Sequence, residues 1–215
     1  ITEPTALTAT ATKVQDVQCN GDADGSISVS ASGGTPNYTY LWDDGAGQTT
    51  TTATNLAPGN YTVTVTDDQG CTSTTPAVTI TEPTALTATA TKVQDVQCNG
   101  AADGSISVSA SGGTPNYTYL WDDGAGQTTT TATNLAPGNY TVTVTDDNGC
   151  TFKTPAVTIT EPTDLTATAT KVQDVQCNGA ADGSISVSAS GGTPNYTYLW
   201  DDGAGQTTTT ATNLA

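Results

Sequence analysis

Three observations predict an all-β chain of tandem sandwich domains. The first is repetition. The stretch Gly33-Gly34-Thr35-Pro36-Asn37-Tyr38-Thr39-Tyr40-Leu41-Trp42-Asp43-Asp44-Gly45 returns unchanged as Gly112–Gly124 and Gly191–Gly203, each copy 79 residues after the one before. Solenoid repeats run to about 20–50 residues, so this period fits small autonomous domains in series. The second is alternation: Ser26 to Ser32 sets Ile27, Val29 and Ala31 on one face and serines on the other. The third is composition, because Thr, Ser, Gly, Asn and Val dominate and there is no Met, so helix formers are few. A hydrophobic fraction of 34% is lean, but regular alternation marks thin sandwich cores and not disorder.

The elements follow in order within the first copy. Leu7 to Thr12 alternates Leu/Ala with Thr as a first strand, continuing through Val14 and Val17. Cys19 to Gly25 turns by Asn-Gly and Asp-Gly chemistry, and Ser26 to Ser32 is the second strand. Tyr38 to Trp42 is an aromatic strand, Asp43 to Gly47 an acidic loop, and Gln48 to Leu56 a Thr-rich strand or two very short ones. Ala57-Pro58-Gly59-Asn60 turns into Tyr61 to Thr66, and Asp67 to Gly70 leads to Cys71. Pro76 to Thr81 closes the unit. Six or seven short strands, with turns every 8–12 residues, indicate an immunoglobulin-like sandwich. Leu56 to Tyr61 has the form of the corner where a tyrosine hydroxyl ties back to backbone.

The expected boundaries are 1–5 for the tail of a preceding repeat, then 6–83, 84–162 and a truncated 163–215. Repeats 1 and 2 differ only at Asp22/Ala101, Gln69/Asn148, Ser73/Phe152 and Thr74/Lys153. Ile1-Thr2-Glu3-Pro4 restates Ile80-Thr81-Glu82-Pro83, and the third copy stops at Ala215, so a window on a longer array is expected. No Gly/Ser linker separates the copies, and Pro83 restricts the joint, which predicts a semi-rigid elongated rod.

A net charge of −17, with four Lys and no Arg or His, excludes phosphate-backbone binding as a function class. No apolar run approaches the ~20 residues of a membrane span. Without His, and with Ser, Lys and Asp in strands and turns, no nucleophile–base pairing is legible, so an enzyme is not expected.

Each full repeat carries two cysteines. An even pair in a lean domain points to a disulfide and an oxidising, extracellular compartment. Strand parity decides the partner. If Gln48 to Leu56 is one strand, Cys19 and Cys71 share a pole and bond within the repeat. If it makes two passes, Cys71 moves to the far pole and Cys19–Cys150 becomes the better pairing. The expectation taken is Cys19–Cys71 and Cys98–Cys150, with the partner of Cys177 beyond the chain end; each bond closes a loop of about 50 residues, worth on the order of 4 kcal/mol.

Taken together, Cys19-Asn20-Gly21, Asp24-Gly25-Ser26-Ile27, Gly33-Gly34-Thr35-Pro36, Tyr38 to Trp42, Leu56 to Asp67 and Gly70-Cys71 resemble the SprB repeat, and the match runs through every copy. The resemblance implies a giant cell-surface adhesin of gliding Bacteroidota, exported by the type IX system, with adhesion and gliding motility as the setting and no enzyme activity. Neighbouring repeats of the same chain are the implied partners, with lateral copies of the filament and a surface or polysaccharide ligand as further ones.

Two candidate sites remain. In the single-strand reading Asp22, Asp24, Asp43, Asp44, Asp67 and Asp68 crowd one pole, where they either bind calcium or stand as solvated turns. The loop lacks the later bidentate Glu, and Ala101 and Ala180 replace its middle ligand in the other copies. Solvated turns are the reading taken, so no cofactor is expected. Tyr38, Tyr40 and Trp42 share one strand face, either stacking on sugars or filling the core. The core reading is taken for Trp42, Trp121 and Trp200, with Tyr61 and Tyr140 at the corners. Asn37 and Asn60 begin Asn-x-Thr sequences, read as ordinary turn-to-strand entries. The expected function is the structural shaft of a surface adhesin filament. The alternatives are a multivalent carbohydrate-binding module and a passive spacer of an exported enzyme.

Overall fold

The computed structural model describes residues 3–215, so Ile1 and Thr2 of the expected tail lie outside the described residues. Repeat 1 forms β1 (Thr8–Gln15), β2 (Gly25–Ser32), β3 (Thr39–Trp42), β4 (Thr52–Leu56), β5 (Gly59–Tyr61), β6 (Val63–Thr66), β7 (Thr72–Thr74) and β8 (Val78–Ile80). Repeat 2 restates them as β9 (Thr87–Gln94) to β16 (Val157–Ile159), and repeat 3 gives β17 (Thr166–Gln173), β18 (Gly183–Ser190) and β19 (Thr210–Leu214). The fold is all-β, with antiparallel sheets of two and three strands in an immunoglobulin-like sandwich and a repeat of about 79 residues.

The chain falls into two compact units. One comprises Ile1–Thr89, Ser109–Tyr119 and Thr143–Lys153; the other comprises Ala90–Val108, Leu120–Val142 and Thr154–Ala215. In the first, β1-β2-β4 and β3-β6-β7 are three-stranded sheets, and β5 pairs with β8. Alternation decides what lies between them. Ile27 and Val29 of β2, Ala53 and Leu56 of β4, and Val63 and Val65 of β6 are buried together with Val17, Trp42 and Ile80. Opposite faces carry hydroxyls in register, Thr8 against Ser32 and Thr10 against Ser30. In the second unit β17-β18-β19 repeats the first sheet with the same register, Thr166 against Ser190.

Trp42 is 2% exposed and its indole N–H donates to Thr50 O at 2.9 Å, so its polar edge is satisfied inside the core. Tyr38 and Tyr40 pack half-buried against the same cluster, while Leu41 stays 57% exposed, as a two-residue period requires. Trp121 is buried like Trp42, and Trp200 is half-buried. Tyr61 and Tyr140 donate their hydroxyls to Ala57 O at 2.9 Å and Ala136 O at 2.8 Å. Each ring covers the corner between two strands and is fastened four residues upstream.

The Thr-rich stretch corrects the single-strand reading. Gly45 and Gly47 take positive φ and reverse the chain after β3. Gln48 O then accepts the Trp42 N–H at 3.0 Å, so the chain climbs back beside β3. The Gln48 amide bonds Thr54 twice, Nε2 to Thr54 O at 2.9 Å and Thr54 N–H to Oε1 at 3.1 Å. Only Thr52–Leu56 pairs as a strand, descending antiparallel to β2. The segment therefore makes two passes, one of them irregular. Because β6 next ascends antiparallel to β3, Cys71 ends at the pole opposite Cys19.

Candidate functional site

The residues that meet at the first inter-repeat joint come from three segments, each shaped by its own sequence. The first is the loop Asp16–Asp24. Val17 N–H donates to Thr81 O at 3.0 Å, and the Asp16 carboxylate accepts the Thr81 N–H at 2.7 Å. Lys13 lies 2.7 Å from Asp16, and its hydrogen bond, with that of Thr81, holds the Asp16 carboxyl below its ordinary pKa against the effect of burial. Asp24 closes the loop by accepting the Gln18 N–H at 3.0 Å. Gly21, at φ 85°, turns its N–H onto Glu82 at 2.7 Å, and Asn20 donates to Pro83 O at 3.0 Å. The linker Thr81–Pro83 is thus bonded along its length to the loop.

The second and third segments form a socket on repeat 2. Asp146, 5% exposed, accepts N–H groups from Thr114 at 2.8 Å, Asn148 at 3.0 Å and Cys150 at 2.9 Å. One carboxylate so ties the β14 (Val142–Thr145) to β15 (Thr151–Lys153) hairpin to the Gly113–Thr114 turn. Gly113 must be glycine here, since it sits at φ 60° against Asp146 and Leu86. Its N–H reaches Thr84 O at 2.7 Å.

The loop lies in this socket. Asn148 Nδ2 donates to Gln18 O and to Thr114 Oγ1, both at 3.0 Å, and Cys19 is bonded to Cys150 with 5.7 Å between their Cα atoms. A cleft of about 400 Å³ beside the bond is lined by Asn20, Asp22, Ala85, Leu86, Gly149 and Thr151. This corrects the expected Cys19–Cys71 and Cys98–Cys150 pairs. Two passes between Gln48 and Leu56 put the two cysteines of a repeat at opposite poles, so the bond runs to the neighbour. Cys71, Cys98 and Cys177 are free and exposed.

The second unit builds the same loop on the next linker. Val96 N–H donates to Thr160 O at 2.9 Å, Asp95 accepts Thr160 N–H at 2.7 Å, and Glu161 accepts Gly100 N–H at 2.7 Å. Thr193 Oγ1 lies 3.5 Å from Gln97 O, and the cleft there, about 400 Å³, is lined by Cys98, Asn99, Asp164, Leu165 and Gly192 among others.

The six acidic residues do not share a pole. Asp22, Asp24, Asp43 and Asp44 stand at the loop end, and Asp67 and Asp68 at the socket end. Asp43 accepts Thr62 N–H at 2.7 Å and its hydroxyl at 2.8 Å; Asp44 accepts Gly47 N–H at 2.7 Å and Gln48 N–H at 3.1 Å. Burial raises the Asp44 pKa, but bonds from Gln48 and Gly47 outweigh it and hold the carboxyl below the ordinary value. Among the described residues no three carboxylates or thiols converge as a metal site. Asp24, Asp43, Asp44 and Asp67 accept backbone N–H groups at turns. Asn60 accepts the Thr79 hydroxyl at 2.6 Å, a strand-pair contact. Glu82, Asp16 and Asn148 went unread as joint residues. The recurrence of Thr-Glu-Pro after the last strand was the available signal for Glu82.

A profile described as the SprB repeat matches residues 11–47, 90–126 and 169–205. No curated protein matches the chain. Solved structures similar to it include an amphioxus IgVJ-C2 molecule (14% identity, 71% of this chain and 96% of that one, TM-score 0.29). Fibronectin(III)-like modules of Clostridium thermocellum CbhA align at 17% identity over 70% of this chain and 93% of that one, TM-score 0.31. A tetra-tandem repeat from the extending region of a large adhesion protein aligns at 16% identity over 96% and 63%, TM-score 0.28.

Proposed function

The chain belongs to the SprB repeat family, and from that premise we propose that it is the load-bearing shaft of a cell-surface adhesin filament, exported by the type IX system and serving adhesion and gliding. The observation that carries this reading is the joint. A spacer needs only a flexible linker, whereas here Thr81, Glu82 and Pro83 are each bonded to the preceding repeat and Cys19–Cys150 bridges the linker covalently. Force that reaches the linker is shared with a covalent bond, so the joint resists both bending and extension. The buried Trp42 argues against an aromatic sugar platform on β3. Acidity, −17 in this chain, keeps neighbouring shafts apart.

Single-molecule pulling from the two ends tests the clamp. The bond removes 131 residues from the extensible length. At roughly 3.5 Å per residue the oxidised chain should unfold to a contour about 460 Å shorter than the reduced one. A difference corresponding to the Cys19–Cys71 interval would overturn it. The setting is tested by labelling intact cells with antibody to the repeat; signal only after permeabilisation would refute a surface shaft.

A further inference from the structure

The copies differ at five positions, and two of these meet at the joints. Asp22 of the first loop becomes Ala101 in the second, while Ala85, where repeat 2 begins, becomes Asp164 where repeat 3 begins. The exchanged positions are equivalent in space. Asp22 N–H donates to Cys19 O and Ala101 N–H to Cys98 O, both at 3.0 Å. Ala85 and Asp164 directly follow Thr84 and Thr163, whose carbonyls accept the N–H groups of Gly113 and Gly192 at 2.7 Å. At the first joint Asp22 and Ala85 line one cleft; at the second, Asp164 lines the corresponding cleft beside Asn99. Among the described residues each cleft is lined by one carboxylate, Asp22 from the loop or Asp164 from the socket. The flanking charges are constant. Glu82 and Glu161 hold Gly21 and Gly100, Asp24 and Asp103 hold Gln18 and Gln97, and Lys13 and Lys92 lie 2.7 Å from Asp16 and Asp95.

We propose that these two positions are the recognition pair of the joint: the cleft accepts one carboxylate, from the loop or from the socket, and so selects which loop seats on which socket. The Asp22 loop matches the Ala85 socket of repeat 2 and is mismatched to the Asp164 socket of repeat 3. The mismatch brings two carboxylates into one cleft, where they repel, and an exposed cleft in water weakens that repulsion without cancelling it. Such selection has a use in this chain. Near-identical neighbours are prone to exchange elements during folding, and a like-charge contact is a means of rejecting the wrong partner. The proposal rests on the clamp reading of the first joint and adds to it the choice of neighbour.

The test is a double-mutant cycle in the 215-residue chain, with Cys71, Cys98 and Cys177 changed to Ser so that Cys19–Cys150 is the disulfide followed. The bond is equilibrated with reduced and oxidised glutathione at about 10 mM ionic strength, where charges on the cleft are least screened. The bonded fraction is read from the link between tryptic fragments 14–92 and 93–153. Ala85→Asp gives the repeat-2 socket the residue of repeat 3 and should lower the equilibrium constant for the bond about threefold. Ala85→Asn adds bulk without charge and should match the parent, as should Asp22→Ala. Asp22→Ala combined with Ala85→Asp reproduces the second joint and should restore the parent constant. Raising NaCl to about 0.5 M should erase the Ala85→Asp defect. An equal loss in Ala85→Asn, a double variant as weak as Ala85→Asp, or a defect indifferent to salt would overturn the recognition pair while leaving the clamp. A parent chain that forms no Cys19–Cys150 bond would overturn the clamp and the pair together.

Discussion

The sockets of repeats 1 and 2 are one surface in two situations. Asp67 and Asp146 each gather three N–H groups at 2.8–3.0 Å, and these distances agree within 0.1 Å between the copies. Yet only the second socket holds the Gln18-Cys19-Asn20 loop. The internal bonds of the socket are therefore the same with and without a seated loop. Its shape depends on a buried carboxylate, while the joint depends on a thiol and an amide at its rim. Preorganisation of this kind lowers the ordering cost of each joint.

The largest effect that separates the sockets is covalent. Closing 131 residues is worth about 5 kcal/mol in the chain-entropy argument, so Cys150→Ser should lower the urea midpoint strongly. Cys71→Ser should move stability by about 0.5 kcal/mol or less. Equal losses in the two variants would erase the distinction. Tryptic fragments 14–92 and 93–153 should also stay linked until reduced, because Cys19 lies on one and Cys150 on the other.

Next come the carboxylates, where the sockets should behave alike. Asp67→Ala and Asp146→Ala each leave three N–H groups without their acceptor, so both should lower Tm. Asp146→Ala should in addition speed reduction of Cys19–Cys150 by dithiothreitol. Reduction at the wild-type rate would show that the hairpin does not position the thiol. Smaller again is the rim. Asn148→Ala should cost about 1 kcal/mol through the lost bond to Gln18, and Gln69→Ala almost nothing.

The smallest effect is that of pH. Chiefly the Thr35 N–H, and then those of Cys71 and Gln69, hold the Asp67 carboxyl below its ordinary 3.8 against the opposing effect of burial. A depressed folded pKa contributes stability that is complete above about pH 4 and fades as pH falls through the folded value. Tm should therefore be flat from pH 7 to 5 and decline below about 4, less steeply in Asp67→Asn. A decline already under way at pH 6 would contradict that assignment.

Much of the fold was legible because two-residue alternation fixes which side of a strand is apolar. Ile27 and Val29 on β2, Val63 and Val65 on β6, and Trp42 against exposed Leu41 all follow it. The Thr-rich segment was not legible for the same reason in reverse. Threonine suits either face of a strand, so Gln48 to Leu56 offers no period from which to count passes. The resulting parity error moved Cys71 and Asp67–Asp68 to the wrong pole and so misassigned both the disulfide and the acidic cluster.

By itself the sequence determined the period of 79, the sandwich strands, the tyrosine corner and the absence of a Gly/Ser linker between copies, since all of these are local or repetitive signals. Tertiary structure alone decided that the cysteines bridge neighbours. That choice rests on the direction of the chain after Trp42, set by Gln48 O on the Trp42 N–H and by the Gln48 amide on Thr54. These contacts bridge six residues at a turn, and no pattern of hydrophobicity records them. Whether a thiol faces its own repeat or the next is a question of which end of a strand it leaves from. Folding answers that through hydrogen-bond partners, not through composition.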